Sequence, residues 1–216
     1  MDTKLHPSVR PVPISNLRPT QMTVGLGEVE HRRSHLRQQR GKKAARFLGK
    51  HMIPVILGPD GHHYLIDNHH LARALFDEGV ESVLTLVIAD LRKLDFAAFW
   101  FVMDNRGWLH PYDERGRRCS HTDLPRSVKD LRDDPFRTLA GELRRAGGFA
   151  KETIPFTEFL WADFLRRRMK RKLVQKNFRR ALKEALTLAK TDVADYLPGW
   201  CGPVTDPDDG AARRRK

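Results

Sequence analysis

The chain has 216 residues, 40% of them hydrophobic and 31% charged, which is enough apolar material for one sizeable core or for one domain with an extension. No apolar run approaches the roughly 18 to 20 residues of a membrane span, and Met1-Asp2-Thr3-Lys4-Leu5-His6-Pro7 has no signal-peptide core, so a membrane protein is excluded and a cytoplasmic one expected. The net charge of +13 points towards a polyanionic partner, while Cys119 and Cys201 lie far apart in polar or Pro/Gly-rich surroundings, as reduced thiols rather than a disulfide framework or zinc site.

In chain order, Val9-Arg10-Pro11-Val12-Pro13-Ile14 reads as an edge strand, since its prolines would remove ladder hydrogen bonds from a central one. A loop leads to Glu28-Val29-Glu30-His31-Arg32-Arg33, a polar segment that begins a helix running towards Leu48. Ile53-Pro54-Val55-Ile56-Leu57 is a compact apolar strand, Gly58-Pro59-Asp60-Gly61 a strong turn, and His63-Tyr64-Leu65-Ile66 the returning arm of a hairpin. Leu71, Ala72, Ala74, Leu75 and Phe76 then recur at helical spacing, with Gly79 where a C-terminal cap belongs. Val83-Leu84-Thr85-Leu86-Val87-Ile88-Ala89 is a further buried strand and completes an α+β core over residues 1–94.

Beyond that core the pattern changes to a helical extension over 95–200, followed by a disordered basic tail over 201–216. Helices are predicted over 96–103, 124–131, 136–146 and from 156 to 188, with a turn-rich connection at Gly107-Trp108-Leu109-His110-Pro111-Tyr112. Residues 151–190 hold twelve Lys or Arg against four Asp or Glu, a local charge of +8. Arg166, Arg167, Arg168, Lys170, Arg171, Lys172, Arg179 and Arg180 carry most of it, either as a nucleic-acid grip or as a solvated helix face. Trp100, Trp108 and Trp161 with Phe96, Phe99, Phe101, Phe159 and Phe164 could stack on bases, but their helical spacing assigns them to core packing.

The chemistry concentrates where the hairpin runs into the next helix, at Asp67-Asn68-His69-His70. A helix start offers unpaired backbone N–H groups at the positive end of a dipole, so phosphate is its natural ligand. Asn68, His69, His70 and Arg73 are the candidate phosphate-binding residues, and Asp67, His69, His70, Glu28 and Glu30 the candidate catalytic ones. The histidines could donate to phosphate oxygens; Glu28 or Glu30 could act as base or Mg²⁺ ligand if the N-terminal segment folds over the corner. Asp67 has two readings, as a metal or nucleophile holder and as the helix cap. A metal site at His62, His63, His69 and His70 matches no standard zinc spacing, and Arg32 and Arg33 turn the His31/His35 pair into an exposed basic face.

Pro13-Ile14-Ser15-Asn16-Leu17-Arg18-Pro19-Thr20-Gln21, Pro54-Val55-Ile56-Leu57 and Tyr64-Leu65-Ile66-Asp67-Asn68-His69-His70-Leu71-Ala72-Arg73-Ala74-Leu75 together resemble the ParB/sulfiredoxin superfamily, especially its ParB-like nuclease branch. The likeness continues through Met103-Asp104-Asn105-Arg106-Gly107-Trp108-Leu109-His110-Pro111 and Phe159-Leu160-Trp161-Ala162-Asp163-Phe164, covering roughly residues 10 to 168. The resemblance implies an α+β fold with a small mixed sheet, and a nuclease or phosphoryl-transfer activity on a nucleotide or nucleic acid. His69 stands where sulfiredoxins carry their reactive cysteine, and His70 and Leu71 stand where the CTP-binding partition proteins carry arginines, so neither chemistry is implied. The Asp-Gly-His-His-Arg box of the superfamily's serine kinases is closer, with Asn68 for its glycine and Leu71 for its arginine. A nucleotide-dependent small-molecule kinase is therefore one alternative, and a non-catalytic, partition-like DNA-binding protein another.

Overall fold

A computed structural model of the chain describes residues 8–38 and 51–203. The helix expected to run towards Leu48, and the basic tail beyond residue 203, lie outside the described residues. Five strands form one mixed sheet in the order β1 (Ser8–Pro13), β6 (Ser82–Asp90), β4 (Ile53–Leu57), β5 (His63–Leu65), β2 (Leu17–Pro19). The two-stranded pair β3 (Thr23–Val24) and β7 (Arg132–Asp133) is parallel. Pro11 and Pro13 place β1 at the sheet edge, where it runs antiparallel to β6 with Pro11 opposite Leu84.

The hairpin forms as its turn residues dictate. Val55 faces Leu65 across an antiparallel ladder, and Gly61 takes the positive φ of 75° that closes the turn. Gly58 is required for another reason: a Cβ there would run into the Tyr64 ring. Leu17, Ile53, Val55, Leu65, Leu71 and Leu75 are buried on one core, each contributing about 1.5 to 3 kcal/mol relative to exposure. This is the α+β, ParB/sulfiredoxin-like architecture expected, with helices α1 (Leu26–Gln38) and α2 (His69–Asp77) packed together.

The chain divides into two units, Met1–Asp134 and Pro135–Lys216, so α3 (Phe96–Asn105) and the long loop after it belong with the sheet. The helix predicted over 124–131 is only a 3-10 turn at Val128–Asp130, because Pro125 and the Ser127 side chain, which accepts from Lys129 N–H, favour turns while Val128 and Leu131 are buried. In the second unit, the helix predicted from 156 to 188 is three: α5 (Thr157–Arg168), α6 (Arg171–Lys176) and α7 (Phe178–Ala189), following α4 (Pro135–Arg145). Extended backbone at Met169 lets that side chain enter the core, and Asn177 Oδ1 caps α7 by accepting from Arg180 N–H at 3.1 Å. Phe149 stacks on Trp161 with ring centroids 4.4 Å apart at the centre of this helical core.

Candidate functional site

Strand β5 delivers the chain to Asp67 and Asn68, and α2 begins at His69. Asn68 adopts the left-handed conformation, φ 64° and ψ 26°, which a short polar side chain tolerates better than most. The capping reading of Asp67 is corrected: the N-cap position is Asn68, and no side chain caps the helix. A capping side chain normally leaves an extended residue. Here the left-handed turn sends Asn68 Nδ2 towards the Met52 carbonyl oxygen at 3.3 Å, while Asp67 Oδ1 accepts from Asn68 N–H at 2.6 Å.

The N-terminal segment does fold over this corner, and the histidines hold it there. Thr20 N–H donates to His69 Nε2 at 3.2 Å, and Gly25 N–H donates to His70 Nε2 at 3.0 Å. A backbone amide can only donate, so both rings are neutral at Nε2 and carry their proton on Nδ1. The strap 20–25 is buried throughout. Thr20 Oγ1 donates to the Leu65 carbonyl, His110 N–H to the Thr20 carbonyl, and Arg132 N–H and Asp134 N–H to those of Met22 and Val24. The backbone of His110, in the turn-rich connection, therefore fastens the strap from outside. Asp133 Oδ1 accepts from Leu26 N–H at 2.9 Å, so its carboxylate faces the positive end of α1.

This arrangement separates the candidate catalytic residues. Gly25 begins α1 by accepting from Val29 N–H, which brings the buried Glu28 within one helical turn of the Gly25–His70 bond. Glu30 goes elsewhere: it pairs with Arg33 at 2.9 Å and Arg37 at 3.4 Å, and both arginines also hold Glu78, just past the far end of α2. A catalytic role for Glu30 at the corner does not fit that placement, since a nine-residue helix spans about 13 Å. Arg73 is also committed, with Nε on the Asp77 carboxylate at 3.0 Å and a second nitrogen on the Leu131 carbonyl at 3.0 Å. To hold phosphate it would have to leave both.

A second cluster was passed over in the sequence. Asp60, His62 and Tyr64 alternate through the turn into β5, and the parallel register that sets Arg18 opposite Tyr64 brings a guanidinium to them. Arg18 donates to His62 Nε2 at 2.6 Å, His62 Nδ1 lies 2.9 Å from Asp60 Oδ2, and the Tyr64 hydroxyl donates to the same oxygen at 2.9 Å. Burial raises the Tyr64 hydroxyl pKa, and its bond to Asp60 raises it further. Burial opposes ionisation of Asp60, but His62 N–H, the Tyr64 hydroxyl and the His62 ring outweigh it and hold the carboxyl below its ordinary range. The period-2 spacing of the three residues was legible; the arrival of Arg18 was not.

The chain matches the family described as "Putative ParB-like nuclease" over residues 10–167. It belongs to that family. Its structure is also similar to the crystal structure of protein Atu1540 from Agrobacterium tumefaciens, with a TM-score of 0.87 and 50% identity over 92% of this chain and 98% of that one. None of the curated proteins matches. The family match covers the corner, the strap and all but the outer ends of β1 and α5, so both clusters above lie within it.

In this ParB-like chain no three His, Cys, Asp or Glu side chains among the described residues converge as a metal cage. No described helix is long and apolar enough to cross a membrane. The basic residues of the second unit fall into two sets. Arg166, half-buried, pairs with Asp163 and lies over Phe136, so it serves the helical core, and Arg171 is half-buried as well; Arg167, which also pairs with Asp163, and Arg168, over Phe164, stay exposed like Lys170, Lys172, Arg179 and Arg180. The aromatic residues divide as well. Phe99, Trp161 and Phe164 are core, as expected from their spacing, but Phe96 and Phe101 are 50% and 70% exposed and Trp100 is only partly buried.

Proposed function

We propose that this ParB-like chain cleaves phosphodiester bonds in nucleic acid, with the scissile phosphate at the start of α2. The observation that carries the reading is a helix N-terminus that follows a left-handed Asn68 and has no side-chain cap, a start whose first-turn amides and dipole suit an anion. Of Asp67, beside the helix start, and Glu28, in the first turn of α1 after the strap, one takes the proton of the attacking water. His69 and His70 act by holding the strap; any donation to phosphate comes from their Nδ1–H. Asp67 and Glu28 are the residues that would hold a Mg²⁺ ion here, which when bound would offset the negative charge of the phosphate.

The test is hydrolysis of a labelled oligonucleotide with and without Mg²⁺, by wild type and by Asp67→Asn/Glu28→Gln. Cleavage lost in the double variant with its melting temperature kept supports the reading, and equal cleavage overturns it. Phosphate transfer from ATP to an added alcohol, with no oligonucleotide cleavage, would favour the kinase alternative. The exposed Lys170, Lys172, Arg179 and Arg180 favour a second reading, in which the helical unit grips nucleic-acid backbones without chemistry. In that case binding falls steeply with salt and is indifferent to Asp67 and Glu28.

A further inference from the structure

Trp100, on α3, stacks on His121 with ring centroids 4.9 Å apart and 23° between the planes. The pair forms a shared wall between two open clefts of about 460 and 400 Å³. Trp100 is fixed from beneath, edge-on to Tyr64 at 5.4 Å and to the fully buried Phe99 at 4.9 Å, so the ring has little freedom to turn. His121, by contrast, is exposed. Phe96 faces the larger cleft and Phe101 the smaller, and both are at least half exposed. A helix that served only the core would have turned these rings inward.

Guanidinium groups stand on both sides of the ridge. Arg126 lines the larger cleft, is exposed and makes no ion pair with any described residue. Arg118 lines the smaller, with Asp104 at 2.6 Å in a pair whose two side chains are about half exposed, the kind of surface pair that re-pairs readily. Within the larger cleft His62 lies between Arg18, which donates to its Nε2, and Asp60, 2.9 Å from its Nδ1, which presents a polar edge below the aromatic wall. Exposed aromatic faces interleaved with arginines suit a ligand with separate planar rings strung on an anionic backbone. A duplex does not meet that description, because its bases are already stacked inside.

We propose that the Trp100–His121 ridge binds single-stranded nucleic acid, with a base on either side and the intervening phosphates on Arg126 and Arg118. The proposal deepens the nuclease reading by naming its substrate class, and its test does not depend on cleavage. The probe is a fluorescein-labelled single strand of about 12 nucleotides, as DNA and as RNA, titrated by anisotropy against the intact chain in EDTA beside a duplex of the same sequence. The expected result is single-strand binding, of either sugar, at least tenfold tighter than duplex binding. His121→Ala and Arg126→Glu, both exposed positions, should each weaken it about fivefold or more with an unchanged melting temperature, the scale of one lost stacking or phosphate contact.

Trp100→Ala removes a support of the core, so the exposed Phe101→Ala replaces it as the third variant. Equal affinity for duplex and single strand, or unchanged affinity in both His121→Ala and Arg126→Glu, overturns the proposal. The corner reading fails independently: normal cleavage by Asp67→Asn/Glu28→Gln beside weakened binding by His121→Ala sinks the corner and sustains the ridge. Lost cleavage beside unchanged binding does the reverse.

Discussion

The strap corner and the aromatic ridge lie in the same unit and use the same residue types in opposite ways. At the corner, His69 and His70 accept from backbone amides of a buried strap, and Arg73 is held by Asp77 and a carbonyl. At the ridge, His121 and Arg126 are exposed and Trp100 keeps part of its surface open to two clefts. A paired histidine dipeptide is thus no guide to reactivity by itself. What decides is whether its nitrogens meet internal donors, and here the strap supplies them.

The contrast is broken most forcefully by removing a strap anchor. His69→Ala leaves the buried Thr20 N–H without its acceptor and opens a cavity beneath it, so the fold should lose about 2 to 4 kcal/mol in urea unfolding. An effect below that of an exposed control such as His121→Ala would show that the strap is held by its backbone bonds alone. Next in size is Gly58→Ala, which drives a methyl group into the Tyr64 ring under Trp100; a loss of about 1 to 3 kcal/mol is expected, with altered Trp fluorescence. That change perturbs the ridge from its base while leaving the corner bonds intact, and so tests whether the two regions are independent.

Asp113, in the loop that carries His110, sharpens the comparison by pH. Its carboxyl is nearly buried, which raises its pKa, but the N–H groups of Arg117 and Arg115 and the Arg117 side chain more than compensate, leaving it below the ordinary 3.8. A depressed carboxylate stabilises the fold above its unfolded value, and that stability disappears as pH falls through the folded value. Asp113→Asn should therefore cost about 1.5 to 3 kcal/mol at neutral pH and flatten the acid limb of the stability curve below about pH 4. An unchanged acid limb would place the acid sensitivity in other carboxylates.

The smallest expected effect is at His63. Burial, with His62, Arg10 and Arg92 nearby, holds its pKa below 6.5, so the unfolded chain takes up the proton first. Its contribution is complete above that pH and declines as pH falls towards the folded value. His63→Gln should remove this slight slope just below pH 6.5 without changing stability at pH 8. A slope that persists would assign it to the other histidines.

Local pattern carried far in this chain. The edge strand with its prolines, the Gly-Pro-Asp-Gly hairpin and the helix after Asn68 were legible because each is specified by neighbouring residues. The failures have a common cause. The basic stretch read as one long helix breaks at Met169 and Asn177 because core packing and a side-chain cap outweigh helical propensity. The segment 124–131 is mostly turn because Val128 and Leu131 are buried beneath it. Phe96, Phe101 and Trp100 share helical spacing with the buried Phe99, and spacing could not tell which face would be covered.

By itself, then, the sequence determined the α+β class, the hairpin and the strand-to-helix corner, since these follow from turn chemistry and periodicity over a few residues. Only the tertiary structure decided that Thr20 and Gly25 would meet His69 and His70, that Arg33 and Arg37, the partners of Glu30, would reach Glu78, and that Arg18 would close on His62. Those pairs, apart from the local ion pairs of Glu30, join residues more than forty positions apart. They depend on strand register and helix packing, which no local pattern encodes.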